Sequence, residues 1–156
     1  MALPGLVDSF YPLTVMILMT TLLALDIGGT KVGWGIVEAG DTYEVTERGS
    51  IPTDAMRGGA DVAARICELA SSLVASHPSV SCVAVASAGV VDPSTGDIVS
   101  ATGTMPGWGG TPLGSLLQEA TGLKVRVLND VHAHGLGEAT LGAGQPYRSV
   151  LSIAVG

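Results

Sequence analysis

The chain has 156 residues, of which 47% are hydrophobic and 13% charged, and its formal net charge at pH 7 is −7. This length suffices for one ordinary domain with a real core, and the composition excludes a disordered chain. An acidic chain with only seven Lys and Arg residues lacks the basic surface that nucleic acids and anionic membranes attract. We therefore expect neither of them as a partner.

The N-terminal run from Ser9 to Leu25 carries no charged residue. An acidic segment precedes it and Pro12 interrupts it, which argues against a signal peptide and against a membrane helix. We expect residues 1–18 to be a loosely ordered extension, residues 19–156 to form the domain, and the protein to be cytoplasmic.

Hydrophobic periodicity predicts a mixed α/β layer that begins with an antiparallel meander of three strands. The predicted strands are Thr21–Asp26, Val32–Glu38, Thr42–Ile51, Ser81–Ser87, Lys124–Leu128 and Tyr147–Val155, with a short hairpin inside residues 90–100. The predicted helices are Asp61–Val74, a helix that begins at Pro112 and ends at Gly122, and a helix from Asp130 to about Leu141 that Gly142 stops.

Several local contacts follow from helical spacing and capping preferences. Asp61 and Arg65 are four residues apart and predict an ion pair, and Thr111 is predicted to cap the second helix. Cys67 and Cys82 fall in a helical and a strand pattern, so we expect buried, reduced thiols rather than a disulfide.

The stretch Asp-Ile-Gly-Gly-Thr-Lys places polar residues between two predicted strands, and two interpretations stay open. Gly28 and Gly29 suit a plain hairpin turn. Alternatively they let backbone N–H groups approach a phosphate, while Thr30 adds a hydroxyl and Lys31 a positive charge. Asp26 would then hold Mg²⁺, usually through water. The stretch matches neither the Walker A pattern nor GxGxxG.

Asn129 and Asp130 follow a predicted strand and begin a predicted helix. Asp130 is either a plain N-cap or a general base, because ligands bind at the carboxyl ends of strands in open α/β sheets. Asn129 beside it suits a hydrogen bond to a polyol. His132 and His134 point away from each other on a helix, so we expect no metal site from that pair. Trp108, in a glycine-rich loop, is either a core or loop anchor or the lining of a sugar pocket.

Three segments, in this order, resemble the ROK family of sugar kinases and repressors. "LALDIGGTK" resembles its first phosphate motif, "ASAGVVDPSTGDIVSATGTMPGW" its GxxGxVDxxxGxV…PGW segment, and "VLNDVHAHGLGE" its catalytic ND segment. The resemblance covers Thr20 to Gly156. It implies the N-terminal lobe of an actin-like, ribonuclease-H-like fold, with a mixed sheet, flanking helices and a chain that stops before the second lobe.

The resemblance also implies ATP-dependent phosphorylation of a hexose or N-acylhexosamine, of the glucokinase or N-acetylmannosamine kinase type, with Mg²⁺. Asp130 would be the catalytic base. The residues implied at the phosphate and Mg²⁺ are Asp26, Gly28, Gly29, Thr30 and Lys31. The residues implied at the sugar are Gly89, Thr104, Trp108, Asn129 and Asp130.

Two departures from the family pattern bear on these expectations. Thr104 stands where the family often has an asparagine that bonds the sugar. "VLSIAVG" resembles the strand before the second phosphate motif, so the adenosine pocket and a structural zinc site are expected only in a lobe that follows. We expect the chain alone to be inactive and the full-length protein to be a homo-oligomer.

A ROK repressor is the alternative, since the same family contains it. A repressor carries a DNA-binding helix-turn-helix before the phosphate motif. Only 25 residues precede Asp26, and they are acidic and apolar, so no basic recognition helix fits there. An inert lobe that binds nothing tightly is the third possibility.

Overall fold

The first three strands form an antiparallel meander in the computed structural model, which describes residues 20–154. The strands are β1 (Thr20–Ile27), β2 (Lys31–Ala39), β3 (Tyr43–Pro52), β4 (Val80–Ser87), β5 (Val90–Val91), β6 (Ile98–Ser100) and β7 (Lys124–Asn129). The helices are α1 (Gly59–Ser76), α2 (Leu113–Thr121) and α3 (Asp130–Thr140), with a short 3₁₀ turn at Ala55–Arg57. The predicted helices and the other predicted strands are therefore confirmed, apart from the last strand.

Five of these strands form one sheet in the order β3-β2-β1-β4-β7, and β5 pairs with β6 in a separate hairpin. The central strand β1 runs antiparallel to β2 and parallel to β4, which in turn is parallel to β7. The carboxyl ends of β1, β4 and β7 therefore lie at the same edge of the sheet.

Alternation of side chains along β1 places the core on one face of this sheet. Leu23, Leu25 and Ile27 are buried, whereas Asp26 between them is exposed on the opposite face. Val62 and Ile66 of α1 complete the same core, and α2 packs beside α1. Each fully buried Leu or Ile side chain stabilises the fold by about 1.5–3 kcal/mol.

The predicted last strand, Tyr147–Val155, is wrong for the residues that the structure describes. Residues 147–154 form no strand, and Val155 lies outside the described part. Leu151 and Ile153 are 84% and 75% exposed. A strand needs a neighbour for its backbone hydrogen bonds, and this segment pairs with none of the described strands. The expected extension, residues 1–18, also lies outside the described residues.

The ion pair predicted between Asp61 and Arg65 of α1 is replaced by other contacts. Asp61 pairs with Arg57, not with Arg65, at 2.8 Å between Nε and Oδ2. Arg65 instead donates to the backbone carbonyls of Pro52 and Thr53, both at 2.9 Å. Pro52 ends β3, an edge strand of the sheet, and a guanidinium in reach satisfies carbonyl groups that no further described strand meets.

The predicted N-cap of α2 is also wrong, whereas the predicted end of this helix is correct. Pro112, not Thr111, is the N-cap, and no side chain caps it. The backbone carbonyl of Thr111 instead accepts a hydrogen bond from Ile98 N at 2.9 Å. Gly122 ends the helix in the left-handed conformation, with φ 70°.

Cys67 and Cys82 are both free thiols, and each is only partly buried. Among residues 20–154, no helix has the length and apolar character needed to cross a membrane.

Candidate active site

One row of residues crosses the carboxyl ends of the three parallel strands. Ile27 of β1 pairs with Ser87 of β4, and Ser87 pairs with Asn129 of β7. The polar stretches predicted as sites follow these row positions directly along the chain. Neighbouring strands lie about 4.8 Å apart, so the ends of β1 and β7 are separated by about 10 Å. The topology thus gathers segments that are about 100 residues apart in sequence.

The glycine loop between β1 and β2 is a tight turn with an exposed tip. Gly28 N donates to Lys31 O at 3.1 Å, and Gly29, Thr30 and Lys31 are exposed. Neither glycine has a positive φ. A Cβ added at Gly29 meets only Met105 Cγ, at 3.9 Å, which is ordinary contact. The loop is therefore a hairpin turn, as one interpretation predicted, but the turn does not explain why position 29 lacks a side chain.

Asp26 and Lys31 lie beside each other on the face of the sheet opposite the core. They line an open concavity of about 730 Å³, together with Arg48 of β3. Asp26 is flanked in the sheet by Gly33 and Ala86, whose small size leaves its carboxylate accessible. A single accessible carboxylate fits the way Mg²⁺ binds beside phosphates, with one or two protein carboxylates and several waters.

Asn129, not Asp130, is the N-cap of α3, because its Oδ1 accepts from His132 N at 3.1 Å. Its Nδ2 donates to Gly89 O and to Asp130 Oδ1, both at 2.9 Å. Asp130 Oδ1 also accepts from Val131 N at 2.9 Å. The interpretation of Asp130 as a plain N-cap is therefore wrong, and its side chain is held in place by the cap residue beside it.

Gly89 forms the turn after β4, and its backbone requires glycine. Its φ is 102°, and an added Cβ would lie 2.7 Å from Ser100 O. Trp108 is 0% exposed, and its Nε1 donates to Ala88 O at 3.2 Å and to Ser87 Oγ at 3.3 Å. Burial of the ring agrees with the interpretation of Trp108 as an anchor, which fixes the turn that carries Gly89.

A cavity of about 310 Å³ opens at this turn, and it brings together two of the predicted sugar residues, Gly89 and Asn129. Thr102 also lines it, although sequence reasoning missed this residue. Thr104 does not line this cavity; it is exposed, and its hydroxyl lies 2.7 Å from the Thr102 hydroxyl. The sequence pattern could have indicated Thr102 as a candidate, since it lies in the same Thr-Gly-Thr stretch as Thr104.

A larger groove, of about 740 Å³, lies between α1 and α2, away from the glycine loop. Its lining is mostly small and apolar and includes none of the predicted site residues. Burial of Cys67 in this groove raises the pKa of its thiol, and the negative charge of Glu119 raises it further. His132 and His134 are both exposed, and residues 20–154 contain no group of three His, Cys, Asp or Glu side chains arranged for a metal.

A glycine loop and an Asn–Asp pair thus lie at the ends of neighbouring parallel strands, and the sequence that forms them matches a known family. Residues 22–156 match the ROK family, and the chain belongs to that family. It has the actin-like fold of ROK sugar kinases, of which it covers the N-terminal part.

Individual relatives agree with this assignment. The chain is 30% identical over 135 residues to a glucokinase of Thermotoga maritima, and the alignment covers 86% of this chain and 41% of that protein. A ROK glucokinase from Streptomyces griseus, solved with glucose and AMPPNP, is similar at 28% identity and a TM-score of 0.68, over 80% of this chain and 38% of that one. The chain spans less than half the length of the curated relatives it matches.

A ROK transcriptional regulator also shares the fold. It is a homologue of the Escherichia coli MLC protein, with a TM-score of 0.73 and 23% identity, over 84% of this chain and 33% of that one. At that identity the likeness concerns the fold alone.

Proposed function

We propose that the protein, at its full natural length, is an ATP-dependent kinase for a hexose or an N-acylhexosamine, of the glucokinase or N-acetylmannosamine kinase type. The observation that carries this proposal is the row of strand ends, Ile27–Ser87–Asn129. It sets an exposed glycine loop about 10 Å from a carboxylate–amide pair. A sugar hydroxyl and a phosphoryl group in line together bridge a distance of that order.

On the phosphate side, Gly28 and Gly29 allow backbone N–H groups to approach an anion. Thr30 and Lys31 add a hydroxyl donor and a positive charge. Asp26 supplies a carboxylate to Mg²⁺ from the neighbouring strand position. When bound, MgATP would supply the phosphoryl group, and its Mg²⁺ would neutralise part of the phosphate charge.

On the sugar side, Asp130 accepts the proton of the attacking hydroxyl as a general base. Asn129 fixes the carboxylate through its 2.9 Å hydrogen bond and contacts the sugar beside Gly89. Thr102 presents its hydroxyl to the same cavity, and Thr104, outside the cavity lining, contacts that hydroxyl at 2.7 Å. Trp108 acts from beneath, because its buried ring holds the turn rather than the ligand.

The same proposal includes a cytoplasmic homo-oligomer whose partner is the sugar rather than nucleic acid or a membrane. The net charge of −7 supports the exclusion of nucleic acid and of an anionic membrane as partners. A structural zinc, expected only beyond this chain, stays a prediction.

The second candidate is a ROK-type regulator, since a regulator shares the fold. The two candidates differ in what they require of Asp130. A kinase needs this carboxylate to accept a proton, whereas a sugar-binding regulator needs only a hydrogen-bonding group there.

The test is a coupled ADP-release assay on the full-length protein with glucose and with N-acetylmannosamine. We expect sugar-dependent turnover at ordinary kinase rates, and none when residues 1–156 are assayed alone. Sugar binding by calorimetry without turnover on either sugar would favour the regulator instead. Turnover by the 156-residue chain as a monodisperse monomer would contradict the expectation that the chain alone is inactive.

A further inference from the structure

Thr53 directly follows β3 and contacts the glycine loop twice. Its hydroxyl donates to Gly28 O at 2.6 Å, and its backbone N–H donates to Thr30 O at 3.0 Å. The residue is only 1% exposed, although Pro52 and Asp54 on either side are exposed. A polar side chain is thus buried with its hydroxyl directed at the backbone of the loop.

The Thr53 segment is itself held from α1. Arg65 donates to the carbonyls of Thr53 and Pro52, and Asp54 approaches the same guanidinium at 3.3 Å. Asp54 has a φ of 50°, a left-handed conformation that is uncommon outside glycine. The segment therefore has a defined shape, fixed by a helix that lies outside the proposed site.

These contacts decide which backbone groups of the loop remain available. An anion is bound by N–H groups and repelled by carbonyl oxygens, so a phosphate loop must direct its carbonyls away from the ligand. Thr53 engages the carbonyls of Gly28 and Thr30 from the protein side. Among the described residues, nothing accepts a hydrogen bond from the N–H groups of Gly29 and Thr30.

We propose that Thr53 is a positioning residue of the phosphate loop, which holds the loop carbonyls inward and leaves the N–H groups of Gly29 and Thr30 free for phosphate, and that Arg65 supports it. This proposal rests on the proposed function, since it assigns the loop to the nucleotide. Thr53 does not itself touch the ligand. Its effect is therefore on nucleotide binding and not on the sugar.

The variants isolate the hydroxyl. Thr53→Val keeps the shape and removes the donor, whereas Thr53→Ser keeps the donor. Thr121→Val is the matched control, because the Thr121 hydroxyl also donates to a backbone carbonyl, Leu117 O at 2.7 Å, but in α2. Arg65→Met removes the hydrogen bonds to the Thr53 and Pro52 carbonyls but leaves the Thr53 side chain in place, and it serves if Thr53→Val does not fold.

The measurements are calorimetric dissociation constants for MgADP and for the sugar, and thermal melting, on the full-length protein. We expect Thr53→Val to weaken MgADP about tenfold, as loss of a buried hydrogen bond does, with the sugar constant unchanged. Thr53→Ser and Thr121→Val should bind MgADP as wild type does, and Arg65→Met should weaken it in the same direction as Thr53→Val, by less.

Each other outcome has a defined meaning. Wild-type MgADP affinity in Thr53→Val, or equal weakening of nucleotide and sugar with a lowered melting temperature, overturns the positioning role. If Thr53→Val does not fold, wild-type MgADP affinity in Arg65→Met overturns it as well. Failure of the wild-type protein to bind MgADP overturns it too. Wild-type MgADP binding without sugar phosphorylation contradicts the proposed function instead, and the variants then still decide the role of Thr53.

Discussion

Replacement of Gly29 by alanine tests whether this glycine serves the fold or a ligand. The backbone of Gly29 has no positive φ, and an added Cβ meets only Met105 Cγ at 3.9 Å. The residue is also exposed. The described structure therefore has no need of a glycine here, whereas a phosphate that approaches the backbone closely does.

Two effects of opposite sign follow for Gly29→Ala. Alanine restricts the unfolded chain, so the free energy of unfolding should rise by about 0.4–1 kcal/mol. The melting temperature should then rise by about 1–3 °C. The same methyl group stands where the phosphate approaches, and a displacement of about 1 Å at the reacting centre costs on the order of 10²-fold in rate. We expect kcat/KM for ATP to fall by about that factor.

The assay combines thermal melting with ADP release as a function of ATP at saturating sugar, on the full-length protein. Gly59→Ala is the matched control, because its Cβ would overlap the Gly107 carbonyl, so it should lower the melting temperature. A lower melting temperature for Gly29→Ala, or unchanged ATP kinetics, would refute the assignment of Gly29 to a ligand.

Three further predictions concern single side chains. Asp130→Asn should melt within about 2 °C of wild type, since Asn129 caps the helix, while turnover by the full-length protein falls about 10²–10⁴-fold, as loss of a general base does. His77 Nδ1 and Nε2 contact Leu73 O and Glu47 Oε2, and these acceptors, the backbone carbonyl foremost, raise the pKa of His77. The stabilisation from these contacts is therefore complete below the unfolded pKa of about 6.5 and is lost as pH rises through the folded pKa. The urea midpoint of the wild-type protein should accordingly be higher than that of His77→Gln near pH 6 and equal to it near pH 9. Cys67, whose pKa burial raises, should react with iodoacetamide at least about tenfold more slowly in the folded than in the urea-unfolded chain.

Each of these has a control. Asp61→Asn removes an acid from the first turn of another helix and should leave turnover unchanged. Glu47→Gln should shrink the pH dependence that His77→Gln abolishes, since it replaces a charged acceptor by a neutral amide oxygen. Turnover within a few-fold of wild type in Asp130→Asn, a pH-independent His77→Gln difference, or equal Cys67 rates in both states would contradict the corresponding prediction.

The predictable part of the fold consists of features that depend on neighbours within a few residues. A short apolar run predicted β1, and the helical spacing of Val62 and Ile66 predicted α1, because both signals lie within a few residues of sequence. Gly122 was predicted to end α2 because left-handed backbone favours glycine at that position. Of the site, the sequence alone identified the glycine loop and the Asn129–Asp130 pair as candidates.

The tertiary structure decided everything that depends on a partner distant in sequence. Thr53 reaches Gly28 across 25 residues, and Trp108 reaches Ala88 across 20. No local pattern encodes such contacts, because they arise only when the strands take their order in the sheet. The same reason explains why Arg65 contacts the end of β3 and not Asp61, and why residues 147–154 form no strand despite their apolar sequence. Side-chain chemistry and local periodicity are properties of the sequence, whereas the choice among competing partners is made by the packed sheet.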